Sequence, residues 1–356
     1  MSRVWDVPVQ ESTRVRDVRV AAEAACAALG LDAHAAAVAA LVATELATNL
    51  VKHANGGRVV INLTGPSGGP AHADPCVQIT SLDHGPGIPD VAVALADGYT
   101  TALSSLGAGL GTCVRISREF DLHSRPGRGT VAVARVGRTR QASGPQPRPA
   151  QATGARAGGI NASLGHAEQS GDAFSWVRSG PRLTLMLADG LGHGPKAAEA
   201  STTAVEELAK KADLPPADIL RHLHTALRPT RGAAVAVAQL DETTRRLSFA
   251  GVGNIGARLR TGDGWRHLIS HPGIVGAHFP ATVPVHRADW RSDSLLVLHS
   301  DGLPSRWVPP QEPQLLARDP AVVAAVILRD AGSAARPLRD DTSVAVLAPD
   351  LLDGRP

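Results

Sequence analysis

Two regions of regular hydrophobic spacing, separated by a stretch that has none, organise the chain. Residues 15–29 (VRDVRVAAEAACAAL) repeat apolar positions at helical spacing and stop at Gly30. Residues 33–54 predict a second, longer helix that ends at Asn55-Gly56-Gly57. Arg58 to Leu63 and Cys76 to Leu82 predict strands joined by a Gly/Pro-rich loop, and Asp83-His84-Gly85-Pro86-Gly87 predicts a turn. The stretch SSLGAGLGT precedes an amphipathic piece at 113–120, and 130–136 predicts a last strand. Two helices over a small mixed sheet make an α+β sandwich. Residues 138–158 are mostly Arg, Gln, Pro, Ala and Gly without apolar period, which predicts a flexible linker. Beyond it, strand signals lie around Ile160 and Phe174 and at 183–187, 233–240, 246–250, 257–260, 294–299 and 342–347. Helices are predicted at 195–212, 216–227 and near 321–329. Strands flanking a central helix pair predict helices packed on sheets in layers. The expected organisation is a domain at 1–137, the linker, a domain at 159–350 and a tail at 351–356, with neither core crossing the linker.

Composition agrees with two domains. The chain has 356 residues, of which 43% are hydrophobic and only 3% aromatic, so both cores must rest on Ala, Val and Leu. A net charge of +3 with no Lys/Arg block implies no nucleic-acid partner. Nearly all the basic residues are Arg and Ala is abundant, which follows genomic codon bias more than function. Cys26, Cys76 and Cys113 lie far apart with no CxxC, and are expected as reduced, partly buried thiols. The N-terminus has no h-region, and the most apolar stretch, 35–51, is interrupted by Glu45 and Asn49. No membrane span is expected, and the expected location is the cytoplasm.

The chemistry concentrates at strand ends. The run LTLMLADGLGHG places Asp189-Gly190 at the end of a buried strand, and LLVLHS runs into Asp301-Gly302 in the same way. Asp172 and Asp340-Asp341 precede two other strands. An Asp followed by Gly sets a carboxylate beside an unshielded carbonyl, two oxygen donors for a hard cation. Strands that end in Asp and strands that begin with Asp can gather these acids on one sheet edge. Carboxylates so crowded need a counter-charge, which predicts an oxygen-only site for Mg2+ or Mn2+. His193 beside the turn is a candidate proton donor, and Asn254 in GVGN is expected as a turn residue of a hairpin region, with lining the site as the lesser alternative. His222 and His224, two apart on a helix, are expected on different faces at the surface.

In the first half, Glu45 and Asn49 share a helix face that His53 continues. Asp83-x-Gly85-x-Gly87 closes a strand, Gly107-x-Gly109-x-Gly111 opens a helix whose N-terminus could hold phosphates, and Gly129-Thr130 follows. Neither Walker A nor a GxGxxG after a strand is present. In this order the four motifs resemble the GHKL ATPase family, in particular its small anti-sigma-factor and RsbT-type serine kinases. The resemblance implies a Bergerat-type α/β sandwich that binds ATP with Mg2+. Asn49 would hold the Mg2+, Glu45 would act as general base and Asp83 would read adenine. Gly85, Gly87, Gly109 and Gly111 would line the pocket, with Thr130 near the base. The short lid at 97–107 leaves hydrolysis, phosphorylation and mere holding of ATP all open.

The second half resembles the SpoIIE branch of the PPM-type serine/threonine phosphatases, most closely RsbX-like members. Ser170-Gly171-Asp172, the 189–194 turn, Ser300-Asp301-Gly302 and Asp340-Asp341-Thr342-Ser343 match in order and kind. The resemblance implies an α-β-β-α sandwich with two metal ions. Asp189 would bridge them, the Gly190 carbonyl would bind one, and Asp301, Asp340 and Asp172 would complete the set. Asp189 and Asp301 would thus carry the catalysis, and Asp341 would either join the ligands or orient its neighbour. A metal pair of this kind activates water for in-line attack on phosphorus. No arginine is placed by the pattern to receive the substrate phosphate.

Two readings of function follow. In one, the chain dephosphorylates a phosphorylated antagonist (STAS-type) regulator of bacterial partner-switching and stress signalling. A linked ATP-using domain, a candidate serine kinase, then acts in the opposite direction. In the other, the first half sequesters a sigma factor, anti-sigma factor or antagonist and only senses ATP. In both, the linker is expected to give reach without a fixed interface.

Overall fold

The computed structural model describes residues 3–65, 75–95, 109–138, 154–262, 264–332 and 340–350. The first half contains β1 (Val4–Val9), α1 (Arg14–Ala28), α2 (Ala33–His53), β2 (Gly57–Thr64), β3 (Cys76–Leu82), α3 (Val91–Leu95), α4 (Gly109–Ile116), β4 (Glu119–Arg125) and β5 (Gly129–Gly137). Asp32 starts α2 by accepting from Ala35 N–H at 2.8 Å, an N-cap that satisfies one of the helix's open donors. The strands form one sheet in the order β1-β2-β3-β5-β4. Every pairing in it is antiparallel, so the expected mixed sheet is corrected. The helices α1 and α2 cover one face of this sheet. Val18, Ala22, Leu46 and Leu50 meet Val59, Ile61, Val77, Ile79 and Ala134, and the alanines let the helices lie close. By length and composition α2 could cross a membrane, but here it is a core helix. The amphipathic piece at 113–120 is divided between the end of α4 and the start of β4, because the chain turns at Ser117-Arg118.

The second half runs β6 (Arg156–Ala162), β7 (Asp172–Ser179), β8 (Arg182–Gly190), α5 (Pro195–Lys211), α6 (Pro216–Ala226), β9 (Ala233–Asp241), β10 (Arg246–Val252), β11 (Gly256–Thr261), β12 (Gly264–Leu268), β13 (His286–Asp289), β14 (Leu295–His299), α7 (Pro313–Leu316), α8 (Pro320–Ala331) and β15 (Thr342–Ala348). Its sheets are β13-β10-β9-β8-β7 and β12-β11-β14-β15-β6. They face each other across Leu185, Leu187, Phe249, Leu259, Leu298 and Leu347. The helices α5 and α6 cover the first sheet with Ala204, Leu208 and Leu220, and α8 covers the second. The layers are therefore α-β-β-α. The expected linker shortens at its end, because 156–158 already pair with β15 as part of β6. Residues 139–153 of the linker, the 97–107 lid and the 351–356 tail lie outside the described residues.

The expectation of no fixed interface is overturned. Residues 320–329 (PAVVAAVILR) are buried all round, which a helix achieves only when covered on more than one side. One hydrophobic cluster joins Val322, Val323, Val326 and Ile327 of α8 to Val60, Leu82, Val131 and Val133 of the first half's sheet. The helix is thus shared by β15 and β6 on one side and by the outer face of the N-terminal sheet on the other. Side-chain amides close the open edge of β6, a position that otherwise invites a foreign strand. Gln78 Nε2 donates to the Gly159 carbonyl at 2.9 Å, and Asn62 bonds both the carbonyl and the N–H of Asn161 at 2.8 and 3.2 Å. At the start of α8, Arg135 donates to both oxygens of Asp319 at 2.8 Å and to Glu119 at 2.7 Å. Burial would raise the Asp319 carboxyl, but the guanidinium of Arg135 outweighs it and holds the acid below the usual carboxylate range.

Candidate metal and nucleotide sites

The acids of the second half meet where the two sheets end. Asp172 opens β7 directly opposite Asp189 at the end of β8, so register alone sets the two side by side. The turn after β8 is glycine for steric reasons. A Cβ on Gly190 would stand 2.1 Å from the Ala197 carbonyl of α5, and Gly192 has φ +88°. Asp301 follows β14, and Asp340 precedes β15. Burial raises the Asp189 carboxyl to about 7, reinforced by the charges of Asp301, Asp340 and Asp341. Burial also holds Asp172 well above the carboxylate range, with Asp189 adding to the effect and Ser300 and Ser343 opposing it. Asp301 is raised by burial and by Asp340.

Carboxylates crowded in this way ionise together only when a cation answers their charge. Asp172 Oδ2 is buried without a hydrogen-bond partner, and the donors are all oxygens, a set suited to a hard divalent ion. Among the described residues, however, no three acidic, His or Cys side chains converge closely enough to form a ready cage. Asp301 Oδ2 accepts from Asn254 Nδ2 at 2.7 Å, and Asp341 is turned away. Its Oδ1 and Oδ2 accept from the Leu164 and Gly171 N–H groups at 2.7 and 2.6 Å, tying the loop before Asp172 to the start of β15.

Two residues join the acids at this site. Asn254 lies in the turn between β10 and β11 as expected, and its lesser alternative of lining the site holds, because it anchors Asp301. Arg231, not singled out at all, lies over the 189–194 turn, its Nη1 3.1 Å from where a Gly192 Cβ would stand. A backbone bond from Leu191 N–H to the Gly232 carbonyl at 3.0 Å locks the two loops together. The available signal was Thr230-Arg231-Gly232, a tight turn immediately before β9. Of the histidines, His193 is exposed. His222 pairs with Glu207 at 2.8 Å, and His224 fastens the Gly276 N–H and stacks on Phe279.

The nucleotide-type residues of the first half also come together. Half-buried Glu45 and Asn49 of α2 face the start of α4, where a Cβ on Gly109 would stand 3.6 Å from Glu45 Oε2 and 3.9 Å from Asn49 Oδ1. Gly111, two residues on, is buried, and Gly107 lies outside the described residues. His53, expected to continue this face, is exposed. Asp83 is buried, and its Oδ1 accepts from the Gly85 and Thr130 N–H groups at 2.8 and 3.0 Å. A Cβ on Gly85 would stand 2.6 Å from Ala54 Cα, and one on Gly87 2.3 Å from the Arg125 carbonyl. Neither position admits another residue without moving backbone. The Thr130 hydroxyl lies 2.8 Å from that of Ser124. A carboxylate held at a strand end, a helix N-terminus and an Asn on the facing helix suit adenine, phosphates and Mg2+ respectively. The cysteines are free and buried.

Fold and site together define a two-part chain, with an ATPase-type sandwich packed on a phosphatase-type double sandwich. Residues 9–135 match the family described as histidine kinase-like ATPase domain, and 179–349 match stage II sporulation protein E (SpoIIE). The chain is a fusion of a domain of the first kind with a PPM-type phosphatase domain of the second. Its first half is similar to the serine/threonine-protein kinase RsbT of Bacillus subtilis (strain 168), 37% identical over 87 residues. That match covers 24% of this chain and 61% of the kinase, less than two thirds of its length. Its second half is similar to the phosphoserine phosphatase RsbX of the same organism, 25% identical over 134 residues, 37% of this chain and 67% of that one. A solved structure of RsbX in complex with magnesium is 20% identical, with a TM-score of 0.46 over 55% of this chain and 96% of that one.

Proposed function

We propose that the chain is a metal-dependent phosphoprotein phosphatase that hydrolyses phosphoserine or phosphothreonine on a regulatory protein, with an N-terminal domain that binds ATP. The observation that carries this reading is the pairing of Asp172 with Asp189 across β7 and β8, with Asp301 and Asp340 close enough to raise Asp189. Asp172, Asp189, Asp301, Asp340 and the Gly190 carbonyl would hold two Mg2+ or Mn2+ ions. Bound there, such ions supply Lewis acidity and an activated water. The chain's own residues do the rest. Asn254 fixes Asp301, and Asp341 fixes the loop that carries Asp172. Arg231 stands at the metal turn as the cation that meets a substrate phosphate, a role for which a guanidinium's paired donors are suited. In the first half, Asn49 would hold Mg2+ on ATP, Asp83 would receive the adenine amino group, and Glu45 would serve as base for transfer to a protein serine. A phosphoserine phosphatase and a serine/threonine-protein kinase among the relatives favour a phosphorylated regulatory protein as partner; an antagonist, sigma or anti-sigma factor of a cytoplasmic partner-switching system is the partner proposed. Phosphatase assays with Mn2+ and a phosphoserine peptide test the reading. Asp189→Asn and Asp301→Asn should each lower turnover by at least about a hundredfold while the fold is kept. Unchanged turnover in either variant refutes it. Asn49→Ala should abolish Mg2+-ATP binding in calorimetry and leave hydrolysis of a small aryl phosphate intact.

A further inference from the structure

The C-terminal end of α8 reaches the nucleotide-type residues of the other half. His84 Nε2 lies 3.2 Å from the Arg329 carbonyl, next to Asp83 in the chain. The Arg329 side chain is only 2% exposed. Its Nε donates to Asp330 Oδ1 at 2.8 Å, and its Nη1 is buried with no hydrogen-bond partner. A buried guanidinium with an open donor is costly unless a charge answers it. One charge in range besides Asp330 is Asp83, itself 7% exposed. Both backbone bonds to Asp83 end on Oδ1, so a ligand amine would be received by Oδ2.

We propose that Arg329, supplied by the phosphatase half, is a positioning residue of the nucleotide site, holding Asp83 ready to accept the amino group of adenine. This rests on the reading that the first half binds ATP. Burial alone raises the Asp83 carboxyl, and a protonated acid would no longer select an amino group. Burial wins and the carboxyl stays above its ordinary range, while the Gly85 and Thr130 N–H groups, Arg329 from α8 and His84 from the same turn limit the rise. On the neighbouring β4, His123 is lowered by burial, and Arg329 and Arg318 push it the same way against Glu312 and Asp330. It adds no cation to answer Asp83 at neutral pH. The site is then complete only when α8 is docked, so the first half binds adenine nucleotides as part of the whole chain.

The test uses the full chain and two probes, Mg2+-ATP and the triphosphate of purine riboside, which lacks the 6-amino group. Wild type should prefer ATP. Arg329→Met and Arg329→Gln should each weaken ATP about tenfold, leave the purine analogue nearly unchanged, and move the acid-side loss of ATP affinity upward in pH. Arg329→Lys should recover most of the loss. Arg329→Gln keeps a donor for Asp330, so it serves if the methionine variant does not fold. ATP affinity and pH profile within twofold of wild type in a folded variant overturn the proposal. So does an equal loss for both nucleotides together with a lowered melting temperature, the mark of a purely structural role. Wild type that binds neither probe instead defeats the ATP reading, and this inference falls with it.

Discussion

Breaking the Arg135–Asp319 pair asks whether the two halves are one folding unit. Asp319 caps α8 through the Ala321 N–H at 2.8 Å and takes both Arg135 bonds on its two oxygens. Arg135→Met leaves that carboxylate in the interface with its cap bond but without its guanidinium. Removing one partner of a buried pair costs about 3–5 kcal/mol. Asp319→Ala leaves Arg135 with Glu119 at 2.7 Å and Gln78 at 3.2 Å, so it should fall at the lower end of that range despite losing the cap. Arg135→Met with Asp319→Leu removes both charges, and should cost less than the sum of the singles by at least about 1 kcal/mol. Urea unfolding reads this out with built-in probes. Trp5 reports on the first half, and Trp176, Trp265, Trp290 and Trp307 on the second. Wild type should unfold in one transition seen alike by fluorescence and circular dichroism. The pH dependence has a definite sign. Asp319 is depressed in the folded state, so its contribution is full above the unfolded value and is lost as pH falls through the lower folded one. The gap between wild type and Arg135→Met should therefore close below about pH 4. A single-variant cost under about 1 kcal/mol, or an additive cycle, would refute the claim that this pair holds the halves together.

Two further outcomes are expected. Asp189 is raised to about 7 in the fold, so the folded chain binds a proton between the unfolded value and 7 that the unfolded chain does not. Stability of EDTA-treated protein should thus fall as pH rises from about 5 to 8, and saturating Mn2+ should flatten the slope; a flat profile without metal counts against the crowded-acid geometry. Chain cleaved between 139 and 153 should elute as one particle in gel filtration, because the interface and not the connection holds the halves; separate peaks at micromolar concentration would contradict the shared core.

Much of the fold was legible because its signals are local. The spacing around 15–29, 33–54 and 195–212, and the Asp-Gly pairs at strand ends, state their own conformations, and register then brings Asp172 opposite Asp189. What covers a face is not local. The apolar run at 320–329 predicted a helix, but its lack of any polar stripe also implied two packing partners, and the second comes from residues that precede it by nearly 190 positions or more, roughly from Val133 back to Val60. Polar Asn62 and Gln78 in strands give no hint of bonding another strand's edge, since the acceptors Asn161 and Gly159 are backbone. Arg231 was missed for a similar reason. Its relevance depends on the bond that brings the 230–232 turn against Leu191, which no spacing encodes.

The shared helix also sets a timetable for synthesis. The N-terminal sheet is fully translated at Gly137, but the helix that covers its outer face begins at Pro320. At usual elongation rates the intervening stretch of about 180 residues takes on the order of 10–40 s to appear. During that interval Val60, Leu82, Val131 and Val133 form an open apolar surface on the ribosome. A nascent chain of this design has a built-in waiting period, in which another copy's sheet or a chaperone can occupy the face that α8 later claims. Slowing translation after Gly137 should lengthen that exposure, and shortening the chain before Pro320 should make it permanent.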